Sequence, residues 1–261
     1  MKKRLLCSGL LIIVWLTGCA LSESEQPLEV TVSAAASMTD AMTEIVDLFE
    51  NEHPEIKILL NIGSSGALQQ QILQGAPVDV YVSAAEDKFE RLVLEGMIDD
   101  THATNLLGNS LVLIQPKEAD QKLTSFEDLD SSDISKLAIG TPETVPAGKY
   151  AKETLISGGI YDRLQQQGKL VFAKDVRAVL TYVETGNVDA GIVYHTDALT
   201  SENIKIVAFA EERNHTPIVY PVGVINGGTH HDQAVDFYQF LKGEQAMSIF
   251  EQYGFVSMVE Q

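Results

Sequence analysis

Hydroxyl and small residues follow two predicted strands at the points where each strand gives way to a helix. Residues 33–39 read Ser-Ala-Ala-Ala-Ser-Met-Thr, and residues 61–67 read Asn-Ile-Gly-Ser-Ser-Gly-Ala. Small side chains let a ligand approach the backbone closely, and helix N-termini offer unpaired amides to an anion. Ser37 stands at a helix N-cap position, so its hydroxyl either bonds its own helix or points at a ligand. A cap explains either junction alone, whereas two of the same chemistry favour an anion site.

Three further junctions carry similar chemistry in the second half of the chain. Residues 141–148 contain two prolines followed by Ala147 at a predicted helix start, residues 174–177 open another helix around Val176, and Tyr194 ends an apolar strand. A buried tyrosine hydroxyl needs a hydrogen-bond partner, which a ligand in a cleft can supply. Together the five junctions offer hydroxyls and amides without an obligatory Lys or Arg. Such donors suit a deprotonated oxyanion that must be bound and later released.

The elements that would position these junctions alternate between strand and helix. The predicted strands cover residues 28–33, 56–62, 78–82, 110–115, 137–140, 170–173, 190–194, 204–209 and 218–225. The predicted helices cover residues 38–53, 67–74, 88–95, 126–129, 149–157, 176–185, 232–241 and 245–253. This alternation predicts an α/β fold with mostly parallel sheets flanked by helices. In such folds ligands bind beyond the carboxyl ends of the strands, where these junctions fall.

The chain begins with a pattern typical of an export signal. Residues 2–4 are basic, and residues 5–16 are almost wholly apolar, a stretch too short for a comfortable transmembrane helix. Residues 16–19 then read Leu-Thr-Gly-Cys, which resembles the lipobox of bacterial lipoproteins. We therefore predict a signal peptide over residues 1–18 and a lipid on Cys19. The alternative is an ordinary secretory signal with a chance cysteine.

Cysteine usage agrees with this interpretation of the N-terminus. Cys7 would leave with the signal peptide, so the mature chain would hold Cys19 alone and could form no internal disulfide. Lipid attachment explains a lone exported cysteine, and several acyl chains on one residue anchor a protein stably. Residues 22–27 are polar and acidic, and we predict that residues 19–27 form a flexible tether to the membrane.

The charge balance of the chain excludes whole classes of partner. Its 261 residues include 37 acidic and 18 basic side chains, for a net charge of −19. Binding to nucleic acid needs basic surface, and so does binding to anionic lipid headgroups through a basic patch. We therefore expect neither. The length suits one large domain or two modest ones.

The remaining polar candidates favour structural roles. Arg177 stands at a predicted helix start, where a cation is unfavourable, so we predict a structural or surface role for it. Asp79 is predicted to satisfy backbone groups at a strand. The six histidines follow no metal-ligand spacing, and the pair His230 and His231 indicates a solvated loop. Neither a nucleophile elbow nor a phosphate-loop motif occurs, so we predict no enzyme activity and no cofactor.

A series of short motifs extends along nearly the whole chain, from about Glu29 to Val256. The motifs are Ala-Ala-Ala-Ser at 34–37, Gly-Ser-Ser-Gly at 63–66, Gly-Ala-Pro-Val-Asp-Val at 75–80, Leu-Gly-Asn-Ser-Leu at 107–111, Val-Pro-Ala-Gly-Lys-Tyr-Ala at 145–151, Gly-Ile-Val-Tyr at 191–194 and Tyr-Gly-Phe at 253–255. Single motifs are modest, but their order and spacing are specific. Together they resemble the motifs of the molybdate-binding proteins of ABC importers.

The resemblance implies a periplasmic-binding-protein-like fold of type II, with two α/β lobes and the ligand between them. It places residues 28–110 and 220–261 in the first lobe and residues 111–219 in the second. The chain would cross between the lobes twice, near residues 109–113 and 217–222.

The resemblance also implies a set of binding residues. Ser37 and Ser65 would each offer a hydroxyl and an amide, Ala147 and Val176 would offer amides, and Tyr194 would offer its hydroxyl. Ser64 is the alternative to Ser65. Ser65 is preferred because its spacing to the start of the following helix is that of the family. The ligand would be molybdate or tungstate, held through its oxygens without direct bonds between the metal and the protein.

The function implied is capture of this oxyanion outside the cytoplasmic membrane by a monomer anchored through lipid on Cys19. The loaded form would dock on the permease of an ABC importer. Three alternatives remain: a binding protein for another tetrahedral oxyanion such as sulfate, an anion sensor, and an enzyme on the same two-lobe scaffold.

Overall fold

The computed structural model of the chain describes residues 27–119, 123–131 and 134–259. The predicted signal peptide, Cys19 and all of the predicted tether except Pro27 lie outside the described residues. Within the described ranges, no helix combines the length and the apolar character needed to cross a membrane.

A six-stranded sheet forms the centre of the first lobe. Its strands lie in the order β2-β1-β3-β10-β4-β11, and the pairs among β1, β2 and β3 are parallel whereas those of β10, β4 and β11 are antiparallel. The strands are β1 (Leu28–Ala35), β2 (Ile56–Gly63), β3 (Val80–Val82), β4 (Ile98–Gly108), β10 (Val219–Ile225) and β11 (Val256–Ser257). The helices of this lobe are α1 (Thr39–Glu52), α2 (Ser65–Leu73), α3 (Glu86–Leu94), α9 (His231–Lys242) and α10 (Glu244–Gln252).

A five-stranded sheet forms the centre of the second lobe. Its order is β7-β6-β8-β5-β9, with parallel pairs among β6, β7 and β8 and antiparallel pairs from β5 to β8 and β9. The strands are β5 (Leu111–Pro116), β6 (Leu137–Gly140), β7 (Leu170–Ala173), β8 (Ala190–Tyr194) and β9 (Ile204–Phe209). The helices are α4 (Asp128–Ser131), α5 (Pro146–Ser157), α6 (Tyr161–Gln166), α7 (Val176–Glu184) and α8 (His195–Leu199).

The predicted two-lobe α/β fold is confirmed, with one difference in detail. Each sheet is mixed, because the chain leaves β4 for β5 and returns from β9 to β10, and these crossing strands run antiparallel to their neighbours. The parallel half of each sheet carries the strand-to-helix junctions. The antiparallel halves lie next to the two crossings, between Gly108 and Leu111 and between Phe209 and Val219.

Helix α1 illustrates how the apolar pattern becomes packing. Its buried side chains recur at helical spacing on one face, and Phe49 among them meets Phe237 of α9 edge-on at 5.0 Å between ring centroids. Pro54 cannot continue the helix, which ends at Glu52. Truncating a fully buried aromatic such as Phe49 to Ala typically costs about 3–5 kcal/mol, because it removes apolar contact and leaves a cavity.

Several helices and strands were not predicted from the sequence or begin earlier than predicted, and each difference has a physical reason. Strand β4 is half-exposed along most of its length and shifts register against β10, so its side chains show no apolar alternation. Helices α6 and α8 and strand β11 have six residues or fewer, too few for a period. Helices α2, α3 and α5 begin two or three residues before their predicted starts, since polar or small residues occupy their first turns.

Candidate binding cleft

The five predicted binding residues lie around one cavity between the two lobes. Ser37 and Ser65 come from the first lobe, and Ala147, Val176 and Tyr194 come from the second. The cavity is tight in this structure, with a volume of about 10 Å³. All five residues are buried. Each ends or follows a parallel strand, at the edge of the sheet where ligands bind in open α/β folds.

Ser65 is held so that its hydroxyl can donate into the cavity. Its Oγ accepts a hydrogen bond from the amide of Ala84 at 2.9 Å, and its carbonyl accepts one from the Tyr81 hydroxyl at 2.8 Å. Since the hydroxyl oxygen accepts from the protein, its own proton remains for a ligand. Ser65 is also the first residue of α2, so its amide has no partner within the helix. Ser64 lines the same cavity but occupies the N-cap position.

Ser37 is oriented in the same way through a longer chain of hydrogen bonds. Its Oγ lies 2.9 Å from the hydroxyl of Tyr220, and that hydroxyl accepts from Asn109 Nδ2 at 3.1 Å. Because Asn109 donates to Tyr220, the proton of Tyr220 can go to Ser37 and the proton of Ser37 to the cavity. Asn109 lies at the first crossing between the lobes and Tyr220 on the strand after the second. The segments that join the lobes therefore orient a hydroxyl of the cleft.

Two helix starts in the second lobe present backbone amides. Ala147 is the second residue of α5, behind a proline at the first position, and Val176 is the first residue of α7. Amides at these positions have no acceptor within their helices. The N-cap Asp175 accepts from the amide of Ala178 at 2.8 Å, so the N-cap carboxylate is occupied away from Val176. Both helix dipoles direct their positive ends toward the cavity region.

The hydroxyl of Tyr194 contacts the other lobe in this structure. It donates to the carbonyl oxygen of Ala84 at 3.3 Å, a long hydrogen bond, and Tyr150 reaches the same oxygen at 3.5 Å. Burial raises the pKa of Tyr194 well above its ordinary value, and the pKa of Tyr150 is raised for the same reason. Both side chains are therefore neutral donors over the whole physiological pH range.

The two lobes touch directly beside the cavity. The amide of Gly66 in α2 donates to the carbonyl oxygen of Thr144 in the second lobe at 2.9 Å. A Cβ at Gly66 would lie 2.6 Å from that oxygen, so only glycine permits this approach. At the rim, Lys149 Nζ lies 2.9 Å from Asp87 Oδ1. The cleft is closed in this structure.

Arg177 forms a second connection between the lobes. Its Nη1 donates to Thr200 Oγ1 at 2.7 Å, its Nε lies 3.1 Å from Asp197 Oδ1, and its Nη2 contacts the carboxylate of Asp40 in the first lobe. We call Asp40, Arg177 and Asp197 the Arg177 bridge. The structural role predicted for Arg177 is confirmed, because its charge is committed to two carboxylates instead of the cavity.

Asp197 is the most deeply buried charged residue of the bridge. Its side chain has no exposure, and its contact with Arg177 Nε lacks the alignment of a hydrogen bond. Burial raises the pKa of Asp197 from 3.8 to about 7, although the charge of Arg177 acts in the opposite direction. The carboxylate is thus poorly compensated, and it lies three residues after Tyr194 in the chain.

The structure agrees with the prediction for Asp79 but not with that for His231. Asp79 Oδ2 accepts from the amide of Thr31 at 2.8 Å, which confirms its predicted role at a strand. The prediction that His231 lies in a solvated loop is wrong, because it is the first residue of α9. The fold also brings His231 next to His102 and Asp99, although no sequence spacing links the three.

Sequence reasoning missed the residues that orient the cleft donors. Tyr220, Asn109 and the backbone of Ala84 make these contacts, and Ser37 and Tyr220 are 183 positions apart. No local pattern marks such a pair. The one available signal was the apolar strand predicted around Tyr220, since a buried tyrosine hydroxyl requires a partner.

Comparison with known proteins places this geometry in context. Residues 30–256 match the family described as bacterial extracellular solute-binding protein. YvgL of Bacillus subtilis (strain 168), provisionally named an ABC transporter substrate-binding lipoprotein, is 46% identical over 260 residues, with 98% of each chain covered. The molybdate-binding protein ModA of Escherichia coli (strain K12) is 41% identical over 234 residues, covering 87% of this chain and 88% of the relative.

A solved structure shares the fold. The periplasmic molybdate-binding protein of Azotobacter vinelandii superposes with a TM-score of 0.79, covering 89% of this chain and 100% of that one. Its sequence is 24% identical, so this likeness concerns the two-lobe architecture alone.

Proposed function

The chain belongs to the family of bacterial extracellular solute-binding proteins, and from this premise we propose that it captures molybdate, or tungstate, for an ABC importer. The relatives at 46% and 41% identity support the transport role, and the second is itself named as molybdate-binding. The observation that carries the proposal is the composition of the cleft. Ser37, Ser65, Ala147, Val176 and Tyr194 converge on one cavity as hydrogen-bond donors.

The cleft binds charge with neutral groups. None of the described residues that line the cavity is Lys, Arg, Asp or Glu. Two serine hydroxyls accept from the protein and can donate inward, and the helix-start amides donate as well. The Tyr194 hydroxyl donates to a ligand once it leaves the carbonyl oxygen of Ala84. A fully deprotonated tetrahedral oxyanion accepts at every oxygen and satisfies all of them. A protonated oxyanion would need an acceptor in the cleft, so the arrangement favours ligands without acidic protons.

We assign the lobes as residues 28–110 with 220–261 and residues 111–219. The two separate sheets and the two crossings support this division. A ligand that contacts donors from both lobes stabilises the closed arrangement over an open one. The permease would therefore distinguish loaded from empty protein by this closed arrangement. The loaded, closed form is the species that docks on the permease.

We propose that the protein works outside the cytoplasmic membrane, held there by lipid on Cys19. The family is extracellular, and a relative of similar length carries lipoprotein in its name. The basic, apolar and Leu-Thr-Gly-Cys segments of the N-terminus support the same anchor. The chain acts as a monomeric binding protein without catalysis, because the cleft offers donors for an anion and no nucleophile paired with a base among its described lining residues.

Titration calorimetry of the full chain, purified in detergent, tests the ligand. Molybdate and tungstate should bind with one-to-one stoichiometry and much tighter than sulfate. Tight sulfate binding without preference for molybdate would assign the cleft to the sulfate alternative. Absence of binding to all three anions would refute an oxyanion-binding protein of this type. Docking of the loaded form on a permease, measured by stimulated ATPase activity of the importer, separates transport from an anion sensor.

A further inference from the structure

A cluster of metal-ligating side chains lies in the first lobe, away from the cleft. Asp99 and His102 come from the first residues of β4, and His231 is the first residue of α9. One ligand atom from each of the three lies within 4.8 Å of the others. Two imidazoles and a carboxylate thus converge from elements that are far apart in the chain.

The carboxylate and one imidazole are already oriented toward each other. Asp99 Oδ2 lies 2.7 Å from His102 Nδ1, and Asp99 Oδ1 accepts from the amide and the hydroxyl of Thr101 at 2.9 Å and 2.6 Å. A metal ion can replace the proton between Asp99 Oδ2 and His102 Nδ1, because metal ligands bind in their deprotonated forms, so these two ligand atoms already lie side by side. These contacts restrict the cluster before any ion arrives.

The surroundings permit an ion to enter and to stay. Asp99 and His102 are about one-quarter exposed, so the cluster can be reached from solvent. The buried Tyr238 ring meets His102 edge-on at 5.9 Å, and the His102 and His231 rings meet at 5.9 Å. The positive end of the α9 dipole disfavours a cation there. The negative charges of Asp99 and Asp232, and the net charge of −19 of the chain, favour the cation and offset the dipole.

The donor set selects a class of ion. Ca²⁺ and Mg²⁺ prefer oxygen ligands only, whereas imidazole nitrogens suit Zn²⁺ and neighbouring transition metals. Two histidines and one carboxylate match the ligand set of zinc sites that keep a fourth position for water. In a tetrahedral shell with bonds of about 2.0–2.2 Å the ligand atoms lie about 3.3–3.6 Å apart, so side-chain shifts of about 1–1.5 Å complete the shell.

We propose that Asp99, His102 and His231 form a binding site for Zn²⁺ or a similar divalent transition-metal ion. The ion joins the start of β4 to the start of α9. Because it binds the folded lobe and not the unfolded chain, its stabilising effect grows with its free concentration. The site is independent of the cleft, which lies at the opposite ends of the parallel strands.

Calorimetric titration of the full chain with ZnCl₂, after treatment with chelator, tests the site. We expect one ion per chain, a rise in the melting temperature with Zn²⁺, and no comparable response to CaCl₂. His102→Ala and His231→Ala should each abolish the Zn²⁺ response, and Asp99→Asn should weaken affinity at least about tenfold, because the ion loses one of its three protein ligands. Co²⁺ bound to the wild type should show the intense visible bands of four-coordinate geometry.

A matched control separates this cluster from histidines in general. His215 is similarly half-buried and lies outside the cluster, so His215→Ala should retain full Zn²⁺ affinity. Unchanged Zn²⁺ binding in both cluster variants, or an equal loss in His215→Ala, overturns the proposal. Should either alanine variant fail to fold, His102→Gln and His231→Gln take its place. Molybdate affinity should be the same in all variants, so failure here leaves the function of the cleft unaffected.

Discussion

The cleft and the Arg177 bridge are built from neighbouring residues of the same segments, but the cleft is lined by neutral groups and the bridge by charged ones. Val176 lines the cavity and Arg177 lies in the bridge, while Tyr194 lines the cavity and Asp197 lies one turn later. The cavity is built from neutral donors that suit a dianion. The bridge concentrates one cation and two carboxylates, and none of its three residues lines the cavity.

In the proposed binding site, this difference would balance binding of the anion against its release. A buried charge without a partner is costly, so a cation in the cleft would destabilise the empty protein and would hold the anion too strongly when loaded. Neutral donors avoid both effects. Arg177, which directly follows a cavity residue, is kept from the cleft by two carboxylates, and its charge serves contact between the lobes instead.

Removing hydroxyls from the cleft should have the largest effect. Ser37→Ala combined with Ser65→Ala should weaken molybdate binding by about 3–6 kcal/mol, because each lost hydrogen bond to a charged group is worth about 1.5–3 kcal/mol. Calorimetry measures the change. Ser64→Ala is the matched control, since Ser64 also lines the cavity, and it should bind almost as well as wild type. Equal losses from Ser64→Ala and Ser65→Ala would show that the two serines are wrongly distinguished.

The unfolding free energy should depend on pH through Asp197 of the Arg177 bridge. Because burial raises the pKa of Asp197 from 3.8 to about 7, the folded protein keeps a proton that the unfolded chain releases. The stability contributed by this group is complete below about pH 4 and is lost as pH rises toward 7. Between about pH 5 and 7 the unfolding free energy of wild type should fall by about 2–3 kcal/mol relative to Asp197→Asn. Parallel pH profiles from urea denaturation of the two proteins would contradict the raised pKa.

Breaking the bridge between the lobes should have a smaller effect. Asp40 is nearly half exposed, and exposed ion pairs contribute about 0.2–1 kcal/mol. Asp40→Asn should therefore weaken molybdate binding at most about fivefold, mainly through faster dissociation from a less stable closed form. The loss should shrink at high salt, which screens the wild-type pair. A loss as large as that of the double serine variant would place Arg177 in the binding site itself.

The anchor should have no effect on affinity. Cys19→Ser should bind molybdate as wild type does, while the protein moves from the membrane fraction to the soluble fraction. Fractionation of expressing cells followed by immunoblotting measures the change. Retention of Cys19→Ser in the membrane fraction would argue that another segment holds the protein there.

Residue types predicted the cleft better than they predicted its support. Small and hydroxyl residues at strand ends predict donors, because the carboxyl ends of parallel strands meet at one edge whatever the rest of the fold. The tertiary partners have no such rule: Tyr220 lies on a strand after the second crossing, and nothing near Ser37 indicates it. Strand β4 was not predicted from the sequence because it is half-exposed and shifts register against β10, so its apolar side chains do not alternate.

Gly66 shows how a transient arrangement can constrain a sequence. Within a helix, alanine stabilises the fold relative to glycine by about 0.5–1 kcal/mol, so local rules recommend the replacement. The closed cleft forbids it, because a methyl group there would collide with the carbonyl of Thr144. A library of variants screened for folding alone would accept Gly66→Ala, and one screened for growth on scarce molybdate would reject it. Selection at this position therefore acts on a conformation that the protein adopts for only part of its working cycle.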